Sequence, residues 1–84
     1  MATVEEFEAA SKRVNALPKA PSTDQMLALY GLYKQASVGD VSGSRPGIFD
    51  PKGRAKYDAW AARKGLSPDA ARAQYVELAR QLGA

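Results

Sequence analysis

Apolar residues recur at Val4, Phe7, Ala10, Val14 and Leu17, in steps of three and four that set them on one face of a helix. Thr3-Val4-Glu5-Glu6 fits a capping box, with Thr3 as N-cap and Glu6 reaching back, and Pro18 and Pro21 stop the helix. A second box, Ser22-Thr23-Asp24-Gln25, starts a helix whose Met26, Leu29, Tyr30, Tyr33 and Ala36 carry it to about Val38, where Gly39 ends it. Gly31 lies inside this helix at a cost of ~1 kcal/mol relative to alanine, which calls for a backbone or a ligand in close approach.

The polar, glycine- and proline-rich stretch from Gly39 to Asp50 reads as a loop longer than most helix–helix connections. A connection of this length lets the helices on either side run parallel. Ile48 and Phe49 are expected to tuck inward and pin it. Asp50-Pro51 then supplies an N-cap and a first-turn proline for a third helix running to about Lys64, closed by Gly65. Ser67-Pro68-Asp69 repeats that start signal ahead of Ala71, Tyr75, Leu78 and Leu82, and the terminal Gly83-Ala84 is expected to fray. No segment alternates as a strand and no repeat is visible. The pattern predicts an all-α bundle of four short helices forming one domain over residues 1–84.

Composition narrows the chemistry. The 84 residues are 45% apolar and 25% charged, enough for one core and a soluble surface. There is no cysteine, which excludes disulfides and thiolate metal sites, and no histidine, which removes the usual zinc ligand and neutral-pH acid–base group. No nucleophilic triad, paired-carboxylate arrangement, P-loop or calcium loop is present. Catalysis would have to rest on Asp, Glu, Lys or Tyr with strongly shifted pKa values, and the expectation is a non-enzyme with no metal and no cofactor. No apolar run reaches the length of a membrane span, and the acidic start "MATVEEFEAA" is unlike a leader, so the expected compartment is the cytoplasm.

Charge is uneven. The net value is +3, yet six cations stand against two carboxylates between Arg45 and Lys64. Such a window attracts an anionic partner, whether nucleic acid, a membrane surface or a phosphorylated small molecule, and it equally serves as a solvated face. In "YGLYKQASVGD", Tyr30, Tyr33 and Lys34 fall within about 100° of helical arc. Two phenols for stacking and hydroxyl contacts, beside an ammonium for phosphate, make a nucleotide-type site in miniature. The same spacing also suits a core edge with a lysine snorkelling from it. "GRAKYDAW" repeats the theme with Lys56, Tyr57 and Trp60, where Trp60 also fits a core position. Tyr75 interrupts an aliphatic stripe with a hydroxyl.

Taken in order, "YKQASVGD", "RPG" and "KGRAKYDAW" resemble the acyl-CoA-binding protein family, and the resemblance spans Phe7 to Leu82. It implies an up-down-down-up four-helix bundle with a long connection between helices two and three. It further implies non-catalytic binding, transport and pooling of long-chain acyl-CoA thioesters, by a monomer that neither inserts into membranes nor binds nucleic acid. Carried over, the implied ligand positions are Tyr33 on the adenine, and Tyr30, Lys34 and Lys56 on the ribose 3′-phosphate. Tyr75 contributes a hydroxyl near the nucleotide, and Met26 and Leu27 border the acyl chain. Asn15 stands where the family usually has a phosphate-facing lysine, and Tyr57 stands where it usually has tryptophan. A nucleic-acid-binding helical domain and a groove for a partner helix are the competing readings.

Overall fold

The computed structural model describes residues 3–84. Four helices occur in the order α1 (Val4–Asn15), α2 (Thr23–Ser37), α3 (Pro51–Ala61) and α4 (Pro68–Gln81). Each begins on a side-chain cap, as a helix must if its first amide donors are to be satisfied. The Thr3 hydroxyl accepts from the Glu6 amide at 3.1 Å. Glu6 does not reach the Thr3 backbone; its carboxylate accepts a hydrogen bond from the Thr3 hydroxyl instead, at 3.3 Å, so this cap is one-sided. Ser22 and Gln25 form the full reciprocal box, at 3.2 and 2.9 Å. Asp50 accepts from the Gly53 amide and Ser67 from the Ala70 amide, each ahead of a first-turn proline.

The helix ends are less regular than the pattern predicts. α3 stops at Ala61, and the chain continues to Leu66 through i to i−3 bonds, with the amides of Arg63, Lys64 and Leu66 donating to Trp60, Ala61 and Arg63. Arg63 and Lys64 thus lie past the helix rather than in its last turn. At the C-terminus a closed turn stands in place of the expected loose end. Gly83, at φ 87°, lets its own amide donate to the Arg80 carbonyl and the Ala84 amide to the Ala79 carbonyl, a left-handed closure that satisfies both acceptors.

The topology is up-down-down-up, with the long connection joining α2 to α3. α2 packs against both α3 and α4, and α4 packs against α1. The helices therefore lie in the lateral order α3, α2, α4, α1, in a body only 15 Å thick but 34 Å long and 29 Å wide. Phe7, Ala10, Leu29, Leu32, Tyr75 and Ala79 form the core, with Val14, Val76, Leu78 and Leu82 packed against it. At the α2–α3 crossing Gly31 is buried, and a methyl group there would overlap the Ala59 carbonyl, 2.8 Å from its carbon and 3.3 Å from the Trp60 nitrogen. The glycine is the condition for two backbones to touch.

The connection is held by polar anchors, not by its apolar residues. The Trp60 indole donates to the Gly39 carbonyl at 2.7 Å, and the Tyr57 hydroxyl donates to the Gly43 carbonyl at 3.3 Å. Arg45 makes a two-pronged pair with Asp58 at 2.9 and 2.8 Å. Gln35, only 1% exposed, donates to both Asp40 and the Leu66 carbonyl, while Asp40 also accepts from the Gly65 amide. These bonds hold Asp40 well below the usual carboxylate value of 3.8, the Gly65 amide contributing most. The expected inward tuck of Ile48 and Phe49 is wrong: they are 72% and 96% exposed. With Asp40, Arg45, Tyr57 and Trp60 already anchoring the loop, burial of these two side chains is not required.

Candidate functional site

Because α1 and α2 run antiparallel, Leu17 comes level with Met26 and Ser11 level with Tyr33. Between them, closed below by α4, lies a groove of about 480 Å³. Its lining is chemically mixed. Val14, Leu17, Pro21, Met26 and Leu29 give it aliphatic lining, and Tyr30, Tyr33, Tyr75, Ser11 and Asn15 give it polar groups; Leu17 and Met26 lie toward one end, Ser11 and Tyr33 toward the other. A second hollow of about 400 Å³ continues past Tyr33 and Ser11 toward Lys12 and Arg72.

Two of the phenols belong to an aromatic cluster. Phe7 lies 5.3 Å from the Tyr33 ring and 5.1 Å, edge-on, from the Tyr75 ring; Tyr33 and Tyr75 are 6.2 Å apart. Tyr33 is nonetheless 42% exposed, which leaves part of its ring open to a ligand. Tyr75 is buried, and burial pushes its phenol up; the nearby Ser11 hydroxyl works in the opposite direction, and Tyr33 adds to the rise. Tyr75 is therefore a neutral hydroxyl at physiological pH, able to donate.

The cations reach this region from α3 and from α2. The Lys56 ammonium lies 5.4 Å from the centre of the Tyr30 ring, and that of Lys34 lies 5.0 Å from the Trp60 ring. Both cations are parked on aromatic faces without a carboxylate partner among the described residues. An anion arriving there meets ammonium groups whose present contacts are weak to break. Arg45, by contrast, is already committed to Asp58, so the basic window carries less free charge than its composition implies.

Of the residues singled out from sequence, Tyr30, Tyr33, Tyr75, Met26 and Asn15 border one groove, and Lys56 reaches it through Tyr30. Lys34 turns toward Trp60, and Leu27, half-buried, lies outside the lining. Sequence reasoning missed Ser11 and, beyond Tyr33, Arg72. The signal for Ser11 was present: it stands four residues after Phe7 and four before Asn15, on the same helix face. Arg72 carried no such signal, because only the folded packing of α4 against α1 brings it to the hollow. Among the described residues there is no acidic or histidine cluster able to hold a metal, and no helix is long and apolar enough to cross a membrane.

A thin helical bundle with an amphipathic groove between two of its helices has the architecture of a binding protein. The chain belongs to the acyl-CoA-binding protein family: the family profile described as "Acyl CoA binding protein" matches residues 4–79. It is 50% identical over 82 residues to an acyl-CoA-binding protein of Gossypium hirsutum, covering 98% of this chain and 92% of that one. To the acyl-CoA-binding protein of Saccharomyces cerevisiae it is 51% identical over 76 residues, with 90% and 87% covered. The crystal structure of Oryza sativa acyl-CoA-binding protein 2 superimposes with a TM-score of 0.88 at 49% identity, covering 93% of this chain and 87% of that one.

Proposed function

We propose that this protein binds long-chain acyl-CoA thioesters reversibly, one per molecule and without chemistry, so that a monomer carries and buffers them. The observation that supports this best is the mixed lining of the groove: aliphatic side chains, three phenols, and an ammonium over one phenol. In this reading Tyr33 stacks on the adenine, and Tyr30, Lys34 and Lys56 hold the 3′-phosphate. Tyr75 donates its hydroxyl near the nucleotide, Asn15 offers an amide to the head group, and Met26 borders the tail, with Leu27 beside it on α2 but outside the groove's present lining. Lys34 joins by leaving Trp60.

Energetics divides the work. Each buried methylene contributes ~0.8 kcal/mol, so roughly ten of them outweigh a charged hydrogen bond at ~1.5–3 kcal/mol. The head group sets orientation and selects the CoA class, and the tail sets affinity. Calorimetry with free CoA, octanoyl-CoA and palmitoyl-CoA tests this, with affinity expected to climb steeply along the series. Equal binding by all three removes the tail from the account, and no binding by palmitoyl-CoA removes the proposal. Retardation of nucleic acid at physiological salt would favour the competing basic-domain reading instead.

A further inference from the structure

The most exposed large apolar side chains are adjacent. Ile48 and Phe49 are the two central residues of a turn closed by the Asp50 amide donating to the Gly47 carbonyl at 3.0 Å, and Asp50 is fixed in turn by capping α3. Both side chains are therefore held outward by a bonded frame. Lys52 and Arg54 follow at once in the first turn of α3, which contains no acidic residue. Neither forms an ion pair among the described residues; Lys52 is exposed, while Arg54 is half-buried and its charge also acts on Asp58. Positive charge at that end of a helix opposes the macrodipole, so helix stability is not what puts it there.

We infer that the Ile48–Phe49 turn, with Lys52 and Arg54 behind it, is a docking tip for an anionic phospholipid surface. A convex tip of two apolar side chains is too small for a stable protein interface, which takes about 800 Å² from each partner. It does match a bilayer interface, where an aromatic and an aliphatic residue enter the headgroup region while cations meet phosphate and carboxylate groups. The charge complementarity selects an anionic membrane over a neutral one. The tip is separate from the groove and uses none of its residues, so the inference stands apart from the ligand proposal.

The test uses ligand-free protein and flotation with vesicles of phosphatidylcholine alone or with about a third phosphatidylserine. The parent protein is expected to float with the anionic vesicles only, and less as salt rises. Phe49→Ser should lower the apparent partition coefficient about tenfold. Lys52→Glu should lower it at least about fivefold. Both variants should keep the parent's circular dichroism and palmitoyl-CoA affinity. Equal flotation with neutral vesicles, no flotation at all, or parent-like flotation of Phe49→Ser overturns the inference. So does a concentration-dependent dimer that Phe49→Ser abolishes, since the tip would then serve a second copy of the chain.

Discussion

Gly31 and Asn15 are single positions at which small chemical differences have large reach. Alanine at 31 should gain ~1 kcal/mol in helix propensity but must push the Ala59 carbonyl away. Overpacking of this kind costs roughly 1–3 kcal/mol or more, so Gly31→Ala should be net destabilising in urea titration. A variant as stable as the parent would show that α2 and α3 do not touch there. At 15 an uncharged amide borders the groove. Asn15→Lys should tighten palmitoyl-CoA binding by about 1 kcal/mol at low salt, fading as salt rises, because charged hydrogen bonds are about twice as strong as neutral ones. Tyr33→Ala should weaken the same binding by ~1–3 kcal/mol, by analogy with base–aromatic stacking, with calorimetry as the readout.

At the scale of elements, the connection between α2 and α3 is the segment whose physics differs most from its sequence appearance. Its composition announces a loop, and its length announces parallel helices; both hold. Which residues anchor it was not legible, because the anchors are bonds across 13 to 31 positions: Arg45 to Asp58, Tyr57 to Gly43, Gln35 to Leu66. Local pattern contains helix caps and faces, which is why all four helix starts read correctly. It does not contain pairings between segments, and hydrophobicity alone misassigned Ile48 and Phe49. The groove was partly legible for the same reason: Tyr30 and Tyr33 share a helix face, whereas Arg72 arrives only by tertiary packing. The Asp40 anchor has a pH signature. Its carboxyl is held below 3.8 in the folded state, so the unfolded chain binds more protons in that interval. Its contribution is complete above about 3.8 and is lost as pH falls through the lowered value. Asp40→Asn should flatten the acid limb of the stability curve in thermal melts, leaving the part due to Asp58 and Glu77, which are also lowered. An unchanged acid limb would mean that Asp40 is not a latch.

Across the whole molecule, a 15 Å slab cannot enclose a deep core. Only a few side chains are fully buried, and α1 reaches the rest mainly through α4 and the Phe7–Tyr33 ring contact. A ligand lying between α1 and α2 would add a shared surface to two helices that otherwise meet only through such contacts. Palmitoyl-CoA present at a hundred times its dissociation constant should add about 2.7 kcal/mol to stability. For a domain of this size that corresponds to a rise in Tm of roughly 10 °C or more. Scanning calorimetry at increasing ligand concentration should show Tm climbing with the logarithm of concentration, and a constant Tm would contradict binding to the folded state.

The chain has one tryptophan, and the structure gives that indole two neighbours: the Gly39 carbonyl at its nitrogen and the Lys34 ammonium over its ring. Recruitment of Lys34 by a phosphate would strip the ring of its cation while the nitrogen stays clamped. On the proposed binding mode the indole would serve as an optical gauge, its emission intensity following head-group capture and its emission wavelength following the seating of the strap between α2 and α3.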